Sequence, residues 1–170
     1  NLERARARAE AGTPFPEMVP YSDDCWHCIH PEFLSDQLDR SLERLQLESL
    51  DVLLLHNPEY FLAHARWQGE SSLEETRATF YERMQRAFAH LEREVAAGRI
   101  GHYGVSSNNV AYPAEHPEAT CFEDMLAAAR RAAASVGSSQ CHFQVLQLPL
   151  TVLEPRAAPP AGQGVARRAA

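Results

Sequence analysis

His56 closes the run Val52-Leu53-Leu54-Leu55-His56, and Asn57-Pro58 follows it directly. A titratable ring there would sit at the carboxyl end of a strand, where α/β folds place their chemistry. A lone His at a strand end is more often a satisfied structural residue, so its company decides. Two later runs have the same form. Arg99 to Val105 ends in Ser106-Ser107-Asn108-Asn109, and Cys141 to Leu148 carries Gln144 midway and Gln147 near its end. Hydroxyls and amides at strand ends can hydrogen-bond a carboxamide or a carbonyl without adding charge. One polar strand end is unremarkable, but three on one rim suggest a site.

The elements that would position these groups are legible as punctuation and periodicity. The His56 run is too short for a helix and shows no alternation, which predicts a strand buried on both faces. Asn57-Pro58 forces the chain out of the ladder. A helix is predicted from Pro31 to about Gln46, with Leu34, Leu38, Leu42 and Leu45 at helical spacing. A long helix is predicted from Leu73 to Ala97, striped by Phe80, Met84, Phe88, Leu91 and Val95 and closed by Gly98. A third runs from about Cys121 to Val136, with Thr120 and Glu123 at capping-box spacing and Gly137 at its end. Residues 1–12 could form a solvated helix without an apolar stripe. Residues 13–31 and 57–72 read as loops, and the stretch beyond Pro155 as a disordered tail. Helices alternating with strands imply a parallel sheet, either open and doubly wound or part of a (β/α)8 barrel. No Gly-x-Gly-x-x-Gly follows any strand, which counts against a Rossmann dinucleotide site.

Length and charge narrow the partners. A chain of 170 residues supports one core, and a net charge of −7 argues against nucleic acid or an acidic membrane surface. No apolar run approaches the roughly 20 residues that span a bilayer. Cys25-Trp26-His27-Cys28 has the spacing of a metal or redox pair, but no second pair of ligands accompanies it, and Cys121 and Cys141 stand alone. Ordinary loop cysteines in a reducing cytoplasm, with no metal, are the better expectation.

The chain resembles the aldo-keto reductases over residues 28 to 154. The resemblance rests on Phe33-Leu34 through Ser41-Leu42-Glu43-Arg44-Leu45, then Leu50-Asp51-Val52-Leu53-Leu54-Leu55-His56-Asn57-Pro58. It continues through Gly98-Arg99-Ile100 to Gly104-Val105-Ser106-Ser107, and Phe143-Gln144 with Pro149. It looks closest to the branch that writes His-Asn-Pro where others write His-Trp-Pro, which includes sugar-lactone-pathway dehydrogenases. The resemblance implies an α/β fold, a partial (β/α)8 TIM barrel of about strands four to six with their helices over residues 31–154. It also implies NADP(H) as cofactor, and hydride transfer to or from a small-molecule carbonyl or alcohol such as a sugar or sugar lactone. By resemblance His56 is the active-site His, and Ser106 and Gln144 hold the nicotinamide carboxamide. Ser107 stands where the family usually has Asn, with Asn108 one step later, so either could supply that contact. Asn57 would line the substrate pocket.

The chain departs from the family pattern at the proton donor. No Asp-x-x-x-x-Tyr motif and no strand-ending Lys precede the helix at Pro31, and Tyr21 lies in a proline-rich context. A barrel of this type needs about 250 residues. The expectation is therefore an incomplete, isolated and inactive piece, with residues 1–30 irregular and sheet edges available for self-association. The competing expectation is a non-catalytic half-barrel that serves protein interaction.

Overall fold

The computed structural model describes residues 2–69 and 72–149. A short helix α1 (Leu2–Glu10) leads into a two-stranded antiparallel hairpin, β1 (Val19–Ser22) and β2 (Cys25–His27). Then come α2 (Pro31–Leu45), β3 (Leu50–His56), α3 (Tyr60–Gln68), α4 (Leu73–Ala96), β4 (Ile100–Ser106), α5 (Phe122–Ser135) and β5 (Phe143–Gln147). The strands β3, β4 and β5 form a parallel sheet in that order. This mixed architecture is compatible with part of a (β/α)8 barrel.

The helices form where the sequence supplies both a stripe and an end. Pro31 opens α2, the His30 ring accepts from the Glu32 amide, and Gln46 closes it in the left-handed region at φ 56. Leu34 and Leu38 bury, whereas Leu45 on the last turn is 57% exposed. Ser72 caps α4 in a full capping box with Glu75, worth about 1 kcal/mol. Phe80, Met84, Phe88 and Leu91 then pack as the central stripe, and Val95 lies partly buried at its edge.

On one face of the sheet, Leu55, Tyr103, Val105 and Phe143 meet α4 and α5. Phe88 touches both Tyr103 and Phe143, at centroid distances of 5.3 and 5.4 Å. The core is further locked by a buried carboxylate. Glu92 on α4 accepts from the Tyr103 hydroxyl at 2.9 Å and the His142 amide at 2.9 Å, and its Oε2 lies 2.7 Å from His142 Nδ1. Burial pushes the Tyr103 phenol up, so it remains a donor to Glu92.

Several sequence expectations are corrected. β3 is not buried on both faces: Leu55 is buried, but Asp51 and Val52 are exposed. Among the described residues β3 pairs with β4 alone, and no helix covers the opposite face. The stretch 13–31 is not simply a loop, because β1 and β2 pair within it. Residues 57–72 likewise contain α3, which packs Leu62 and Ala63 inward. α5 is capped at Cys121 without a side-chain bond, not by a Thr120–Glu123 box. The expected tail from residue 155 lies outside the described residues.

Removing Glu92 leaves a buried phenol, an amide and an imidazole without their shared acceptor. Glu92→Ala is expected to cost about 3–5 kcal/mol. Urea unfolding should show a lower midpoint with an unchanged m-value. A midpoint within experimental error of the parent would remove this clamp from the fold.

Candidate active site at the strand ends

Register places the polar strand ends side by side. His56 pairs with Ser106, and Ser106 pairs with Gln147. Leu55, Val105 and Leu146 form the row before them, facing the helices, so these three polar residues face the other way. The side chains of His56, Ser106 and Gln147 make no hydrogen bond among the described residues. An imidazole, a hydroxyl and a carboxamide thus stand together with free hydrogen-bonding capacity. They line a cavity of about 260 Å3 with Ser107, Asn108 and Pro149.

The other predicted residues take different positions. Asn57 is buried in the left-handed region at φ 47, a conformation that Asn tolerates. Its backbone N–H still donates to the Ser106 carbonyl at 2.7 Å, so the ladder extends one residue past β3. Its side chain donates to the Tyr60 hydroxyl at 3.0 Å and accepts from Asn108 at 3.3 Å. Asn57 therefore ties two strand-end loops together. Ser107 is also buried: its N–H donates to the Gln147 carbonyl, and its Oγ accepts from the Asn109 amide at 3.2 Å. Asn108 is exposed and lines the cavity, and its amide donates to Glu59 at 2.7 Å.

Gln144 stands apart from this row. Tyr103 pairs with Phe143 but Gly104 pairs with Val145, so Gln144 is the extra residue of a bulge. Its side-chain amide donates to the Cys141 carbonyl at 3.4 Å. Gly104 makes the bulge possible. A Cβ there would fall onto the Val145 carbonyl oxygen and within 2.8 Å of the Val145 Cβ.

Two contributors were not singled out from sequence. His27 on β2 places its Nε2 2.7 Å from the His56 carbonyl, so the hairpin braces the open side of β3 exactly where the site ends. No local pattern marks that contact, because it joins residues 29 apart in the chain. Glu59 is buried at 2% exposure, and burial raises its carboxyl above the ordinary range. Of the cysteines, Cys28 donates to the Pro16 carbonyl and accepts from the His30 amide, both at 3.3 Å. Burial pushes its thiol up to about 11, which makes it a poor nucleophile.

A model of the aldo/keto reductase family matches residues 23–122, well over half of the chain. The chain belongs to that family. The matched stretch takes in β2, β3, α4 and β4, including His56 and Ser106, and ends before β5. No curated protein matches the chain. Membership supports an oxidoreductase type of function acting on small molecules. No helix of the described residues is long and apolar enough to cross a membrane.

Burial, with smaller contributions from Arg83 and His56, lowers the His27 pKa from 6.5 to about 4, so the ring is neutral at pH 7. The unfolded chain protonates it first. Its contribution to stability is therefore complete above about pH 6.5 and is lost as the pH falls towards 4. His27→Gln keeps an N–H donor but does not titrate. It should flatten the decline of unfolding free energy between those two pH values, and an unaltered acid limb would sink the assignment.

Proposed function

We propose that this chain carries the strand-end part of an NADP(H)-dependent reductase acting on a carbonyl or alcohol, with β3, β4 and β5 as about the fourth to sixth barrel strands. The observation that supports this most directly is the row His56, Ser106, Gln147, whose side chains make no hydrogen bond among the described residues and border one cavity. Such a set fits an uncharged carboxamide and a neighbouring carbonyl oxygen better than it fits a charged ligand. When bound, the nicotinamide supplies or accepts the hydride. The chain's own residues bind and orient. Ser106 and Asn108 hold the carboxamide, and Asn108 is favoured over Ser107 because it is exposed on the cavity whereas Ser107 is buried with its hydroxyl engaged by Asn109. Gln144 is the family's second carboxamide ligand, and its role requires its amide to leave the Cys141 carbonyl. Asn57 borders the substrate side by fixing the loop beyond His56.

His56 is the group that orients the substrate carbonyl and helps a proton reach its oxygen. It is exposed, and its backbone is held by Asn57 neighbours on one side and His27 on the other. A positioned acid–base group is worth about 10²–10⁴ in rate. A sugar or sugar lactone is the substrate class the His-Asn-Pro variant points to. A non-catalytic role in protein interaction gains support from the open β3 edge, where Val52 is 40% exposed. The two readings part on cofactor binding.

NADPH titrated into the chain should shift the amide resonances of Ser106, Ser107 and Asn108 saturably. Ser106→Ala should weaken that response, whereas His56→Ala should leave it nearly intact. In the full-length enzyme His56→Ala should lower kcat by about 10²–10⁴ with little change in NADPH affinity. Silence at all three amides with both NADPH and NADH would overturn the reductase reading. Equal losses of turnover and cofactor affinity would contradict the role given to His56.

A further inference from the structure

The imidazole of His56 makes no hydrogen bond among the described residues, so its direction is set through its backbone. That backbone is pinned at both ends of one peptide plane. The peptide joining His56 to Asn57 donates its N–H to the Ser106 carbonyl, and its own carbonyl accepts from the His27 ring, each at 2.7 Å. Beyond it Asn57 takes the left-handed turn at φ 47. Tyr60 holds that turn at two points. Its N–H donates to the Asn57 carbonyl at 3.1 Å, and its hydroxyl accepts from the Asn57 side-chain amide at 3.0 Å.

The hairpin grips both rings that do this. Tyr21 of β1 stacks on Tyr60 at 4.0 Å, and His27 of β2 meets the same ring edge-on at 5.6 Å. Burial leaves the His27 ring neutral at pH 7, with a single N–H. A carbonyl oxygen can only accept, so that proton sits on Nε2 and is directed at the His56 oxygen.

We propose that His27 and Tyr60 are positioning residues for His56, aiming its imidazole at the substrate oxygen while touching neither substrate nor cofactor. The inference rests on the reading of His56 as the group that orients the substrate carbonyl. Neither ring lines the strand-end cavity, so both act through the backbone of residues 56 and 57. Without the His27 anchor the peptide plane can turn about the bonds on either side of it. A reacting group displaced by about 1 Å loses on the order of a hundredfold in rate. Packing and positioning make opposite demands at residue 27. His27→Phe keeps a ring against Tyr60 and removes the donor, whereas His27→Gln keeps an N–H donor and removes the ring.

The test reads the 15N order parameter of the Asn57 amide in this chain, because that N–H belongs to the pinned peptide. The parent should show the rigid value of about 0.85, and His27→Phe should fall below about 0.6. His27→Gln should stay near the parent. In the full-length enzyme His27→Phe should lower kcat by about tenfold or more with little change in NADPH affinity, and His27→Gln should restore most of it. Should His27→Phe not fold, Tyr60→Phe keeps the stack on Tyr21, loses the bond to Asn57 and should show the same two losses. An Asn57 amide as ordered in these Phe variants as in the parent overturns the proposal. So does a Gln variant no better than Phe, which would make the contact one of packing alone, or an unchanged kcat. The amide is read without cofactor, so a failure of this brace and a failure of the reductase reading are told apart.

Discussion

The Glu92 carboxylate is the interaction on which the sheet's placement depends. It is fully enclosed, and three donors from β4 and the approach to β5 converge on it from across the sheet. A charge so buried is costly unless its lone pairs are filled, and here they are. An apolar residue at position 92 could pack, but it could not report register. Glu92 fixes how far β4 and the start of β5 slide along α4. That register decides which residues reach the rim together.

From that clamp the site follows in steps. Tyr103 and Phe143 are set opposite each other, and the bulge at Gln144 then shifts β5 by one residue. Without that insertion Gln147 would not stand beside Ser106 and His56, and its side chain would turn towards the helices. Gly104 allows the bulge because Val145 comes too close for any Cβ. At the rim itself Asn57 takes the left-handed turn and bonds across to Asn108, joining the two loops that end β3 and β4. The site is preorganised by backbone geometry more than by contacts among the polar side chains.

How much of this was written plainly in the sequence varies by element. α4 was legible because Phe80, Met84, Phe88 and Leu91 repeat on one face over 24 residues. β3 and β4 were legible as apolar runs ending in polar groups, and so was the shared rim of His56 and Ser106. α3 was not, because Tyr60 to Gln68 mixes aromatic and polar residues around the helix and buries only Leu62 and Ala63. The hairpin was hidden by Pro20, which argues against a central strand but is tolerated in a short two-stranded pair. The bulge at Gln144 and the burial of Glu59 left no local trace. Both depend on partners, Gly104 and Asn108, that are distant in sequence.

The face of the sheet turned away from the helices carries its own gradient. Leu54 on β3, Gly104 on β4 and Val145 on β5 form its middle row, Val52 and the exposed His102 lie in the row before it, and His56, Ser106 and Gln147 lie along its end. The middle is apolar or small, so closing a barrel over it would bury side chains at little polar cost. The end row has the opposite property. Three groups with unfilled hydrogen-bonding capacity would be penalised by dry burial, and a polar ligand or water must meet them. The sheet therefore separates a surface suited to packing from a surface suited to binding along a single set of strands. In a parallel sheet the binding row falls at the carboxyl ends, where loops rather than strands set the neighbours. Here those loops are held by Asn57, Asn108 and His27, each bonded to the backbone or side chain of another loop or strand end.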